Sequence, residues 1–208
     1  MTFKPETIHR EDIEWCDIWI TRGGGTDLPR VLLIGDSITR AYYPEVEKLI
    51  GGDAAVSRLA TSKSLGDPSL VDELGLAVAA YDWTVIHFNN GLHGGAYTEA
   101  EYAAHFADVI AFLKAAAPSA RIIVATTTPT RERGNLSQNG EFTPRVVARN
   151  EIAAKVAADE SLAVDDLFAS VNERIELYSD DGVHFNPEGS ATLAASVTES
   201  VRKALAVV

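Results

Sequence analysis

From residue 30 onward the chain alternates short apolar runs with longer stretches whose apolar positions recur every three or four residues. That is the pattern of β–α units around a mainly parallel sheet. Residues 31–34, 54–59, 84–88, 121–126 and 162–164 read as five strands of a small doubly wound sheet. Between them, Tyr102, Phe106, Val109, Ile110 and Leu113 fall on one helical face that can lie on the sheet. Thr98, with Glu101 three residues later, predicts a capping box at the start of that helix, and Pro118 lies beyond its end. A last helix is predicted from Asn186 and Pro187, an N-cap followed by proline at the first helical position, with Leu193, Ala194, Val197, Val201 and Leu205 facing inward.

Two stretches break this pattern. Before residue 30, Trp15, Ile18, Trp19 and Ile20 precede three consecutive glycines, Gly23, Gly24 and Gly25, and read as a segment (1–29) docked on the sheet through a flexible turn. Residues 131–143 have no period and many turn formers, and are expected to be a long loop. No second domain or repeat is visible, so one domain over 1–208 is expected. In such a sheet, ligands bind at the edge where the strands end.

The chain holds 18 Lys and Arg against 30 Asp and Glu, a net charge of −12. This field repels polyanions and anionic surfaces, so neither nucleic acid nor membrane is an expected partner. The one cysteine, Cys16, can form no internal disulfide and is read as a buried structural thiol. With no apolar signal-like stretch at the start and no run of about 18 apolar residues, a soluble, cytoplasmic protein is expected. The five histidines show no His-x-x-x-His spacing, and no Walker loop or Gly-x-Gly-x-x-Gly follows a strand. Neither a metal nor a cofactor is expected.

The chemistry is concentrated at the two ends of the predicted sheet region. The first strand breaks at Gly35-Asp36-Ser37 and turns into a helix, which places the Ser37 hydroxyl at the ligand edge beside a helix N-terminus that stabilises negative charge. Alone, Ser37 could equally be a capping residue. Asp181 and His184 stand three apart just before the last helix, a spacing that lets a carboxylate orient an imidazole, the base an unreactive serine needs. Alone, that pair could equally be an Asx turn with a surface histidine.

Together, and in this order, the two segments resemble the SGNH, or GDSL-like, hydrolase family of small α/β/α esterases, over about residues 30–205. The resemblance implies a three-layer α/β/α, flavodoxin-like fold, with Ser37 as nucleophile, His184 as base and then acid, and Asp181 as its orienter, Asp180 being one residue out of the spacing. It also implies two oxyanion donors. Matching the frame after the second strand puts Ser62 where the family has glycine, and its backbone amide can still donate. After the third strand Asn90 is the candidate amide, with Asn89 next. His93, Asn89 and Asp36 are the substrate-binding candidates.

The function so implied is a serine ester hydrolase working through an acyl-enzyme, removing a short acyl group such as acetyl from a carbohydrate or similar soluble ester. A lipid esterase or thioesterase of the same family, and a glycan-binding module on a hydrolase scaffold, are the alternatives. Gly-x-Ser-x-Gly is absent, since Thr39 stands where that motif has glycine. The alcohol half of the substrate, the oligomeric state and the role of Trp15 and Trp19 stay open.

Overall fold

A computed structural model of the chain describes residues 7–206. In chain order its elements are strands β1 (Cys16–Trp19) and β2 (Arg30–Gly35), helix α1 (Ser37–Ile50), strand β3 (Ala55–Thr61), helix α2 (Ser69–Val78), strand β4 (Val85–Phe88) and helix α3 (Glu99–Ala116). There follow strands β5 (Arg121–Ala125), β6 (Arg131–Glu132) and β7 (Asn135–Asn139), helix α4 (Thr143–Asp159), strand β8 (Ala163–Asp165), helix α5 (Leu167–Val171), a 3₁₀ turn Ile175–Leu177, and helix α6 (Pro187–Leu205).

The main sheet has six strands in the order β1-β3-β2-β4-β5-β8. Five are parallel, in the flavodoxin-like order expected. Strand β2 lies at the centre and is buried along its whole length, as a parallel strand covered on both faces must be. Alternate β2 residues feed two cores: Val31 and Leu33 meet α1 and α6, whereas Leu32 and Ile34 meet the layer of α2, α3 and α4.

The predicted helix starts are present. Thr98 and Glu101 form the full capping box of α3, and Asn186 caps α6 with Pro187 at its first position. Three expectations are corrected. The segment before residue 30 adds a sixth strand, β1, paired antiparallel to β3. Residues 131–143 are not a loop: β6 and β7 pair as a small hairpin, and α4 begins at Thr143. Cys16 stands exposed on the edge strand. Partial burial and the neighbouring Glu73 carboxylate push its thiol up to about 11, so it is not a reactive thiolate.

No helix among the described residues is long and apolar enough to cross a membrane.

Candidate active site

Strand β2 ends at Gly35, and the chain turns directly into α1. Asp36 caps that helix, its carboxylate accepting the Ile38 amide at 2.9 Å. Asp36 is buried, and this cap occupies one of its two carboxylate oxygens. The same cap fixes Ser37 at the first helical position, where the backbone N–H has no intrahelical partner.

At the other end of the chain, residues 178–185 form a tight excursion. Tyr178 bridges Phe185, the Ser179 amide donates to the His184 carbonyl at 2.8 Å, and the Gly182 amide donates to the Ser179 carbonyl at 3.0 Å. Gly182 turns the chain with φ of 74°, and a side chain there would come within 2.2 Å of the Arg131 carbonyl. The hairpin β6–β7 thus backs this excursion, with the Arg131 amide donating to the Gly182 carbonyl at 2.6 Å. Inside the turn, one Asp181 carboxylate oxygen accepts the amides of Val183 and His184, each at 2.8 Å, and the other meets His184 Nδ1 at 2.7 Å.

The two ends meet. His184 Nε2 lies 2.8 Å from Ser37 Oγ, across 147 residues of sequence. Burial raises the Asp181 carboxyl, but the His184 ring and the two backbone amides outweigh it and hold the group at about 2. Asp181 is therefore ionised at any working pH and fixes the ring with Nδ1–H toward itself and Nε2 toward the serine. A hydroxyl, an imidazole and a carboxylate joined in this way form a chain that can pass a proton off the hydroxyl.

The other expected residues gather on the same edge, with different availability. Asn90 donates one Nδ2–H to the Lys63 carbonyl at 2.8 Å, which leaves its second hydrogen uncommitted. Asn89 uses both amide hydrogens, on the Ala125 carbonyl at 2.9 Å and Thr127 Oγ1 at 3.1 Å, so it has none for a ligand. Ser62 is a correction. Its amide donates to the Trp15 carbonyl at 3.1 Å, because the N-terminal segment extends its pairing with β3 past the strand end. That hydrogen is not available to an oxyanion. His93 is half-buried, with Nδ1 3.5 Å from Glu11 Oε1.

One residue has no forerunner in the sequence reading. Arg149, on α4, is fully buried and donates to the carbonyls of Gly91, His93 and Gly94 at 2.7–2.8 Å. Tyr97, Tyr102 and Phe142 surround its guanidinium at 5.0–5.2 Å. An arginine on an amphipathic helix reads as solvent-facing, and only the docked loop gives it partners.

Two open cavities, of about 730 and 600 Å³, lie away from this constellation, around Arg30 and Thr84 and around Arg121 and Val164. Size does not identify the site here, because neither holds the serine, the imidazole or its carboxylate. Among the described residues, no group of three or more His, Cys, Asp or Glu is placed to hold a metal ion.

Solved structures with the same fold include a GDSL-like lipase from Bacteroides thetaiotaomicron VPI-5482 (17% identity, TM-score 0.68, covering 88% of this chain and 94% of that one). A carbohydrate esterase family 3 protein from Talaromyces cellulolyticus is also similar (16% identity, TM-score 0.70, 87% and 100%). So is LAE5, an α/β hydrolase enzyme from the metagenome of Lake Arreo, Spain (13% identity, TM-score 0.68, 84% and 95%). No curated protein matches by sequence. The sequence profile of the GDSL-like Lipase/Acylhydrolase family matches residues 33–192, a span that holds both Ser37 and His184. This chain belongs to that family of ester hydrolases.

Proposed function

We propose that the protein is a serine esterase that works through an acyl-enzyme on a short-acyl, water-soluble ester, an acetyl group on a sugar being the preferred form. The observation that carries this reading is the continuous Ser37–His184–Asp181 hydrogen-bond chain, with distances of 2.8 and 2.7 Å. His184 takes the Ser37 proton as the oxygen attacks the ester carbonyl, and Asp181 stabilises the imidazolium that forms. The Ser37 amide and the second Asn90 hydrogen hold the oxyanion. His184 then protonates the leaving alcohol, and water, activated by the same ring, releases the acid and restores Ser37.

A short acyl group and a polar alcohol suit the surroundings. The His184 side chain is 45% exposed, so the dyad opens to water and not into an apolar tunnel that would hold a long chain. The fold neighbour described as a carbohydrate esterase supports the sugar alcohol.

Ser37→Ala is expected to abolish turnover of 4-nitrophenyl acetate and labelling by a fluorophosphonate while leaving the melting temperature within about 2 °C, since the change removes one half-exposed hydroxyl. Turnover retained in this variant refutes the assignment. Faster cleavage of long-chain than of acetyl esters by the wild type refutes the short-acyl preference.

A further inference from the structure

Arg40 follows Ser37 by three positions on α1. Helical side chains lean toward the helix N-terminus, so that of Arg40 lies over the turn bearing Ser37. Its guanidinium stands 4.8 Å from the centre of the Trp15 ring. Trp15 is itself fixed: its amide donates to Ser62 Oγ at 2.9 Å, and its carbonyl accepts the Ser62 amide at 3.1 Å. The next residue, Lys63, holds Asn90 through its carbonyl. Arg40, Trp15, Ser62, Asn90 and Ser37 therefore share one rim.

What distinguishes Arg40 is its charge. The chain has 30 acidic residues for 18 basic ones, and the neighbouring cations Lys63 and Arg10 have carboxylate partners in Glu14 and Asp67. Among the described residues no carboxylate reaches Arg40, whose guanidinium rests on the Trp15 indole face. A guanidinium resting on an aromatic face keeps its N–H edges free, and those edges match the oxygens of a carboxylate or phosphate. In so acidic a chain, an exposed guanidinium one helical turn from the nucleophile and without a carboxylate on it points to a ligand that supplies the anion.

We propose that Arg40, propped on Trp15, is an anion subsite, and that the ester cleaved carries a carboxylate or phosphate on its alcohol half, as an acetylated acidic sugar does. This rests on the serine-esterase reading, in which the acyl group is short and the charge must sit on the alcohol.

The test compares kcat/KM for 4-acetoxybenzoate, its uncharged methyl ester and 4-acetoxyphenyl phosphate, in the wild type, Arg40→Gln and Lys48→Gln. Lys48 lies in the last turn of the same helix and removes the same charge away from the rim. Arg40→Gln is expected to lower the charged-over-neutral ratio about tenfold, through KM, as loss of a charge-assisted hydrogen bond does. Lys48→Gln is expected to leave that ratio within twofold, and added salt to erode the wild-type preference. The better of the two charged probes tells carboxylate from phosphate. A ratio unchanged in Arg40→Gln, or lowered equally by Lys48→Gln, overturns the subsite while leaving the esterase reading intact. Hydrolysis of none of the three by the wild type tells against the esterase reading itself, and the subsite falls with it.

Discussion

At the scale of single residues, the two adjacent asparagines show how hydrogen counting separates roles that sequence position cannot. Asn89 and Asn90 leave the same strand end, yet one side chain has both hydrogens bonded to β5 and the chain just after it, and the other has one to offer. Removing a well-placed oxyanion donor costs about 10²–10³ in kcat. Asn90→Ala is therefore expected to lower kcat about a hundredfold or more. Asn89→Ala leaves the Ala125 carbonyl without its donor and is expected to show mainly as a lower melting temperature, with kcat reduced less than about tenfold. The reverse order in the two variants would exchange their roles. The serine, histidine and aspartate were legible because their two local segments, each ambiguous alone, occur together in the order of the SGNH family, and each side chain is then placed by its own turn: a strand-to-helix junction for Ser37, and an Asx turn for Asp181 and His184. Ser62 was misread because the fate of its amide is decided by Trp15, 47 residues away, and no local pattern carries that information.

At the scale of elements, the loop after β4 is clamped from two directions. Arg149 gathers the carbonyls of Gly91, His93 and Gly94, while Glu11 of the N-terminal segment accepts the Gly94 amide at 2.8 Å. Gly94 adopts φ of +80°, and a side chain there would come within 2.1 Å of the Tyr97 ring, so the chain can pass this point only as glycine. Asn90 lies at the start of this loop, so the loop's rigidity sets how well that donor is aimed. Arg149→Lys keeps a charge but cannot span three carbonyls with one ammonium. It is expected to reduce kcat about tenfold with KM changed less than about threefold; equal changes in both would show general loosening and not misaiming. The elements that escaped sequence reading share one property. Strand β1 and the hairpin β6–β7 are largely exposed, so they have no buried alternation to betray them, whereas β2, buried throughout, is visible as an unbroken apolar run.

At the scale of the whole molecule, a buried histidine–carboxylate pair has no link to the chemistry and instead ties two strands of the sheet to helix α6. His87 of β4 is fully buried, and its Nε2 lies 2.9 Å from Asp165 of β8, reaching across β5 where Ala125 leaves room. The other Asp165 oxygen accepts Ser196 of α6 at 2.8 Å. β8 is only three residues long and pairs with one neighbour, so its backbone ladder alone holds it weakly and this side-chain bridge anchors the sheet edge. Burial works against the Asp165 charge, but the bonds from His87, Ser196 and Ser200 prevail and hold the carboxyl below its ordinary value. A carboxyl depressed by folding contributes stability that is complete above its unfolded pKa of about 3.9 and disappears as the pH falls through the folded value. Asp165→Ala leaves the buried imidazole and Ser196 without an acceptor and is expected to cost about 3 kcal/mol or more at pH 7, a fall of about 6–12 °C in Tm. Measured by calorimetry, the gap between the two proteins should narrow as the pH is lowered below 4, because protonation removes from the wild type what the variant already lacks. A gap that stays constant from pH 7 to 3 would mean that Asp165 acts by packing, with its charge irrelevant to how the edge strand is held.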